Sequence, residues 1–70
     1  MPLLLAPIGK EQIIRRVGGP PDLRSHLEDM GFVAGSRVTV LSVTGGNRIA
    51  ILKDTRIAIS REMAGRILVE

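Results

Sequence analysis

The stretch RVTVLSVTGGNRIAILKDTRIAIS, residues 37–60, decides the fold. Its apolar residues recur at every second position, the period of a β-strand whose two faces meet different surroundings. From Arg37 onward, Val38 and Val40 share one face while Thr39 and Leu41 share the other. Gly45-Gly46-Asn47 then supplies residues that tolerate the positive φ a tight hairpin demands. The alternation resumes over residues 48–52, with Ile49 and Ile51 on one face, and Lys53-Asp54 makes a second turn. Residues 56–60 repeat it with Ile57 and Ile59. Three meandering strands result.

Downstream, Ser60 stands where its hydroxyl can cap a short helix over residues 61–66, with Glu62 favourably placed in the first turn. Ile67-Leu68-Val69 closes the chain as a last strand. Upstream, residues 10–17 read as a first strand with Ile14 as its inward anchor and Arg15 and Arg16 at its exit. Gly18-Gly19-Pro20-Pro21 interrupts it. Leu23, Leu27 and Met30 then recur at spacings of four and three, which predicts a helix over residues 22–30. Asp22 takes the N-cap position in this reading, Gly31 the C-cap, and Phe32 folds back on the helix end.

Strand, helix, three strands, helical turn and strand in 70 residues must hide apolar faces on both sides of a small sheet. The economical solution is closure. The expected fold is mainly β: a single domain, residues 1–70, forming an SH3-like small barrel with one inserted α-helix and a short helical turn before the last strand. A ferredoxin-like split βαβ would need a second full-length helix, and residues 61–66 are too few.

Composition removes several functions. Ten Lys and Arg against seven Asp and Glu give a net charge of +3, and 44% of residues are hydrophobic, yet Phe32 is the one aromatic and cysteine is absent. A domain this small buries only about 60% of its unfolded surface. Without cysteine it has neither disulfides nor thiolate metal sites, and its one histidine, His26, cannot build a multi-histidine centre. The apolar opening Leu3-Leu4-Leu5-Ala6 is broken by Pro7 and then Gly9-Lys10-Glu11, far short of the roughly 20 apolar residues of a membrane span. Nor does it have the basic start and cleavage site of a secretory signal. The expectation is a cytoplasmic protein with no membrane insertion.

No residue set invites catalysis. There is no cysteine nucleophile, no serine–histidine pairing, and the carboxylates are scattered among basic residues, so the chain reads as not an enzyme, with no cofactor. Asp22, His26 and Asp29 fall on one helical stripe, a weak candidate for a divalent metal and the basis of an alternative reading as a metal-sensor module. The plainer reading is a solvated polar face beside the Leu23/Leu27/Met30 stripe. The Gly18-Gly19-Pro20-Pro21-Asp22 run lacks the donors of a phosphate cradle and adds a repelling carboxylate.

Nucleic acid is the other alternative: eight arginines give a small barrel an electrostatic footprint. Against it, base stacking needs aromatics and the arginines are dispersed beyond Arg15-Arg16. Proline-rich ligands need aromatic grooves too. A partner must therefore be held by aliphatic contacts, arginine hydrogen bonds or an exposed strand edge. Self-association through barrel edges or the apolar segment of residues 1–8 is a further expectation.

The run Leu23-Arg24-Ser25-His26-Leu27-Glu28-Asp29-Met30-Gly31-Phe32-Val33-Ala34-Gly35-Ser36-Arg37-Val38-Thr39-Val40 resembles the signature of FeoA-type proteins, the ferrous iron transport protein A family. Gly9 with Ile13-Ile14 is similar to the family's opening, and Arg56-Ile57-Ala58-Ile59-Ser60, Ala64 and Ile67-Leu68-Val69 to its close. Ala34 stands where members often carry Pro, and Asp54 where they often carry Gly. The resemblance implies an SH3-like barrel acting in the cytosol in bacterial ferrous iron uptake. It implies a partner, the cytosolic region of a membrane iron transporter with a GTPase domain (FeoB-type), which the protein would modulate without chemistry of its own. Such domains also occur fused to metal-dependent repressors. The expected partner-binding residues lie at the first helix's end: Met30, Gly31 and Phe32, with Arg24 nearby. The competing role for Met30 and Phe32 is simply to close the barrel.

Overall fold

The computed structural model describes residues 1–70. The strands are β1 (Glu11–Val17), β2 (Arg37–Thr44), β3 (Asn47–Leu52), β4 (Thr55–Ser60) and β5 (Ile67–Val69); the helices are α1 (Pro21–Asp29) and α2 (Arg61–Arg66). All neighbouring strands are antiparallel, in the order β4-β3-β2-β1-β5. The mainly-β class, inserted helix and late helical turn are as the sequence predicts.

β1 curls the sheet. Its first half pairs with β2, through Glu11↔Thr39 to Ile13↔Arg37, and its second half with β5, through Ile14↔Val69 to Val17↔Ile67. A bulge between Ile14 and Arg16 shifts the inward phase, so Gln12, Ile14 and Val17 are buried while Arg15 and Arg16 both face water. Thirteen buried apolar residues form one core, with Phe32, Leu3, Leu27, Ala50, Ala64, Ile67 and Val69 wholly inaccessible.

Both two-residue turns are visible in the pairing. Thr44↔Asn47 leaves Gly45-Gly46 as the loop, and only Gly45 has positive φ, +59°, as a type II′ turn requires of its first central residue. Asn47 therefore belongs to β3 and not to the turn. Leu52↔Thr55 leaves Lys53-Asp54 as the other loop, with φ of +51° and +66°, the type I′ pattern. Neither residue is glycine, so strain is built in. Replacing Lys53-Asp54 by Asn-Gly is expected to stabilise the domain by about 1 kcal/mol. A thermal melt checks it: a raised midpoint is expected, and a lowered one contradicts this turn geometry.

The strand face in β3 is the reverse of the one its isoleucines advertise. Ile49 and Ile51 do share a face, but the core takes Arg48, Ala50 and Leu52. Register decides this, because Val38↔Leu52 and Val40↔Ala50 put those side chains beside the buried valines of β2. Arg48 is 9% exposed, its stem in the sheet interior and its Nη1 donating to the Gly46 carbonyl oxygen at 3.3 Å.

At the helices, one cap is as expected and one is not. The Ser60 hydroxyl accepts from the Met63 N–H at 3.1 Å and so starts α2. Asp22 is not the N-cap of α1. Pro20 is, and the helix begins a residue earlier, at Pro21, whose ring presets φ and has no N–H to leave unpaired. Asp22 sits in the first turn, where its charge still favours the helix dipole.

The opening segment is also more structured than its composition suggests. Leu3–Leu5 forms a single 3-10 turn with Leu3 at 0% exposure. Met1 is tied to β5 from both sides: its terminal amine donates to the Val69 carbonyl at 2.8 Å, and the Val69 N–H donates to the Met1 carbonyl at 2.7 Å. Pro2 bridges Leu68. The start of the 1–8 segment thus pairs with its own last strand, because loop closure is already secured by the rest of the barrel, while Leu5 and Ile8 stay exposed.

Candidate docking site

Helix α1 ends in a fixed geometry. The helix ends a residue earlier than expected, with Met30 and not Gly31 as its C-cap, and Gly31 follows at φ +105°, a region that side chains avoid. The Gly31 N–H donates to the Glu28 carbonyl at 2.9 Å and the Phe32 N–H to the Leu27 carbonyl at 3.1 Å. These are the two bonds of a Schellman motif, and they reverse the chain so that Phe32 enters the core. A Cβ on Gly31 would lie 3.2 Å from Leu52 Cδ2, so the Leu52 side chain would have to give by a few tenths of an ångström to admit one.

The loop beyond is zipped to β1. The Gly35 N–H donates to the Ile14 carbonyl at 2.8 Å and the Ile14 N–H to the Ser36 carbonyl at 2.9 Å. The helix end and loop are therefore held rigidly on the barrel, a good platform for contact.

The expected partner-binding residues divide accordingly. Arg24 is exposed on α1; Met30 and Gly31 are half-buried, with Met30 packed on the core. Phe32 is 0% exposed and offers no surface, a correction to its expected role in contact. It is the largest fully buried side chain, and the Schellman reversal leaves it nowhere else to go. Sequence reasoning passed over Val33, 38% exposed next to Phe32, because a lone valine in a loop carries no periodic signal. Leu5 and Ile8, in the apolar segment of residues 1–8, are exposed by 68% and 58%.

Asp22, His26 and Asp29 all face solvent along α1. They do not converge into a ligand set, and no group of three or more such side chains does so in the fold. The stripe is a solvated helix face.

The largest surface concavity, about 570 Å³, opens between the start of β1–β2 and the β3–β4 turn. Glu11, Asp54, Arg37 and Lys53 line it, with Ile51 as its single hydrophobic lining residue. Organic ligands and cofactors prefer mostly apolar pockets. The Arg37 Nη1 to Glu11 Oε1 bridge, 3.1 Å, is well exposed, a setting in which such a pair contributes at most about 1 kcal/mol. The remaining exposed arginines are distributed over β1, α1, β4 and α2. That spread lacks the single basic stripe of a nucleic-acid surface. No helix is long and apolar enough to cross a membrane.

A curled five-stranded antiparallel sheet with one inserted helix around a single apolar core defines a small SH3-like barrel protein. Comparison with known proteins gives the family. Residues 1–70 match the FeoA domain. A Methanocaldococcus jannaschii protein, whose name assigns it to Fe(2+) transport as protein A, is 33% identical over 69 residues, 99% of this chain and 84% of its own. The crystal structure of an iron uptake regulatory protein, FeoA, superposes with a TM-score of 0.89 at 28% identity, covering 99% of this chain and 93% of that one. The zinc complex of Stenotrophomonas maltophilia FeoA, described as a prokaryotic SH3 domain protein, shares the fold with a TM-score of 0.88 at 24% identity, covering 100% and 89%. The chain belongs to the FeoA domain family, small proteins associated with ferrous iron transport.

Proposed function

We propose that this protein is a non-enzymatic, cytoplasmic accessory of ferrous iron uptake. It docks on the cytosolic region of a GTPase-containing membrane iron transporter and modulates it. The observation that carries the reading is the family match along the whole chain, residues 1–70. The surface agrees with it: acidic and basic groups are dispersed, and the main concavity is lined by two acidic and two basic side chains with Ile51 as its one hydrophobic residue. Such a surface suits recognition better than bond-making.

The docking surface is α1 and the loop that follows it. Arg24 supplies a charged donor, and the accessible parts of Met30 and Val33 supply aliphatic area. Gly31 and Phe32 act from beneath, by fixing the reversal that presents them. Arginine is among the residues on which interface energy concentrates, which makes Arg24 the position of largest expected effect.

The test is a pull-down of the transporter's cytosolic region with wild type and with an Arg24→Glu, Val33→Ser double variant. Both positions are exposed, so the variant keeps the fold. Capture by wild type and at least a roughly tenfold loss in the variant is expected. Equal capture removes the α1 surface; no capture by wild type removes the docking role.

A further inference from the structure

β4 is an edge strand with no strand paired to its outer side. At the other end of the sheet, β5 is covered by Met1 and Pro2. The β2–β3 hairpin also projects beyond β1, but β2 is bulged between Val40 and Ser42, which spoils it as a template. β4 has no such defect. Its register with β3 is unbroken from Leu52↔Thr55 to Asn47↔Ser60, and it contains no proline. Natural edges are usually blunted by bulges, prolines or charges, and here the one device is Arg56.

The pairing tells which backbone groups are open. A two-residue loop makes Leu52↔Thr55 a hydrogen-bonded pair, and antiparallel pairs alternate from there. Ala50↔Ile57 and Arg48↔Ile59 are then bonded inward, whereas Arg56 and Ala58 turn their N–H and C=O groups outward. Both side chains are exposed, so the approach to these four groups is unobstructed on that face. Half-buried Ile57 lies between them on the inner face.

We propose that the β4 edge accepts an acidic, extended segment of a partner protein as a sixth strand. Charge selects the occupant. Arg56 lies on the strand, Lys53 and Arg61 flank it, and all three are exposed; the acids nearby are Asp54 in the turn and Glu62 on α2. The chain as a whole is +3. A second copy would bring another Arg56 with its basic flanks onto the same edge, and like charges across a strand pair repel. An acidic strand meets the opposite sign and gains the main-chain bonds of strand addition. This surface lies on β4 and does not depend on the α1 docking site.

The probe is a blocked seven-residue peptide alternating glutamate with valine, added to the full chain. Amide hydrogen exchange at Arg56 and Ala58 is expected to slow roughly tenfold when about nine-tenths of the chain is bound. Ala58→Pro removes an outward N–H while sparing the bonds to β3, as edge prolines do, and is expected to abolish the protection. Arg56→Glu keeps the backbone intact and is expected to weaken binding at least roughly tenfold. Unchanged exchange with the glutamate peptide overturns the proposal. So does equal protection by a lysine–valine peptide, or full binding by a folded Ala58→Pro chain. Concentration-dependent protection without peptide overturns it in favour of a second copy.

Discussion

Replacing Phe32 with alanine is expected to leave the domain largely unfolded at room temperature. Phe32 is the only aromatic in the chain, wholly inaccessible, and the largest side chain at the centre of the core. Truncating a buried phenylalanine costs about 3–5 kcal/mol, lost transfer energy plus the cavity left behind. A core of this size rarely supplies more than about 3–5 kcal/mol in total. The two quantities are equal, and no disulfide makes up the difference. Phe32→Leu keeps most of the volume and is expected to lose only about 1–1.5 kcal/mol. Urea denaturation followed by circular dichroism checks both. The leucine variant should show a cooperative transition at a lower midpoint, and the alanine variant none. An alanine variant within about 1 kcal/mol of wild type would place Phe32 outside the core.

The second large effect lies at the start of the chain. Leu3→Ala is expected to lose about 2–5 kcal/mol, although residues 1–8 look like a disposable tail. Leu3 is inaccessible, and the Met1 and Pro2 contacts to β5 depend on the turn it anchors. Leu5 is the internal control: it is 68% exposed, and Leu5→Ala should stay within about 0.5 kcal/mol. Equal stability of the two variants would show that the segment is not part of the core. The same loss should appear locally as faster hydrogen exchange at Val69, whose N–H is bonded to Met1.

These residues also show where the sequence was legible. β2 and β4 carry clean period-two patterns, and the Gly45-Gly46 and Lys53-Asp54 turns between strands admit only short hairpins. α2 was readable from Ser60, whose cap is local. The inner face of β3 was not, because its outer face is also apolar and only pairing with β2 chooses between them. Leu3 was not, because a three-residue 3-10 turn has no period long enough to detect. At the candidate site, Gly31 and the helix end were legible from local chemistry. The separation of Phe32 from surface residues such as Arg24 and Val33 was not, since burial there is set by a reversal that alternation does not encode. The polar stripe of Asp22, His26 and Asp29 had the right spacing for ligands, but spacing does not make three exposed side chains converge.

The proposed docking on a ferrous iron transporter through α1 and its following loop makes a direct prediction. An amide NMR titration of the isotope-labelled full chain with the transporter's purified cytosolic GTPase-containing region tests it most directly. Saturable shifts at Arg24, Met30 and Val33 are the predicted result. A spectrum that does not change, or changes only away from α1 and its loop, would contradict it.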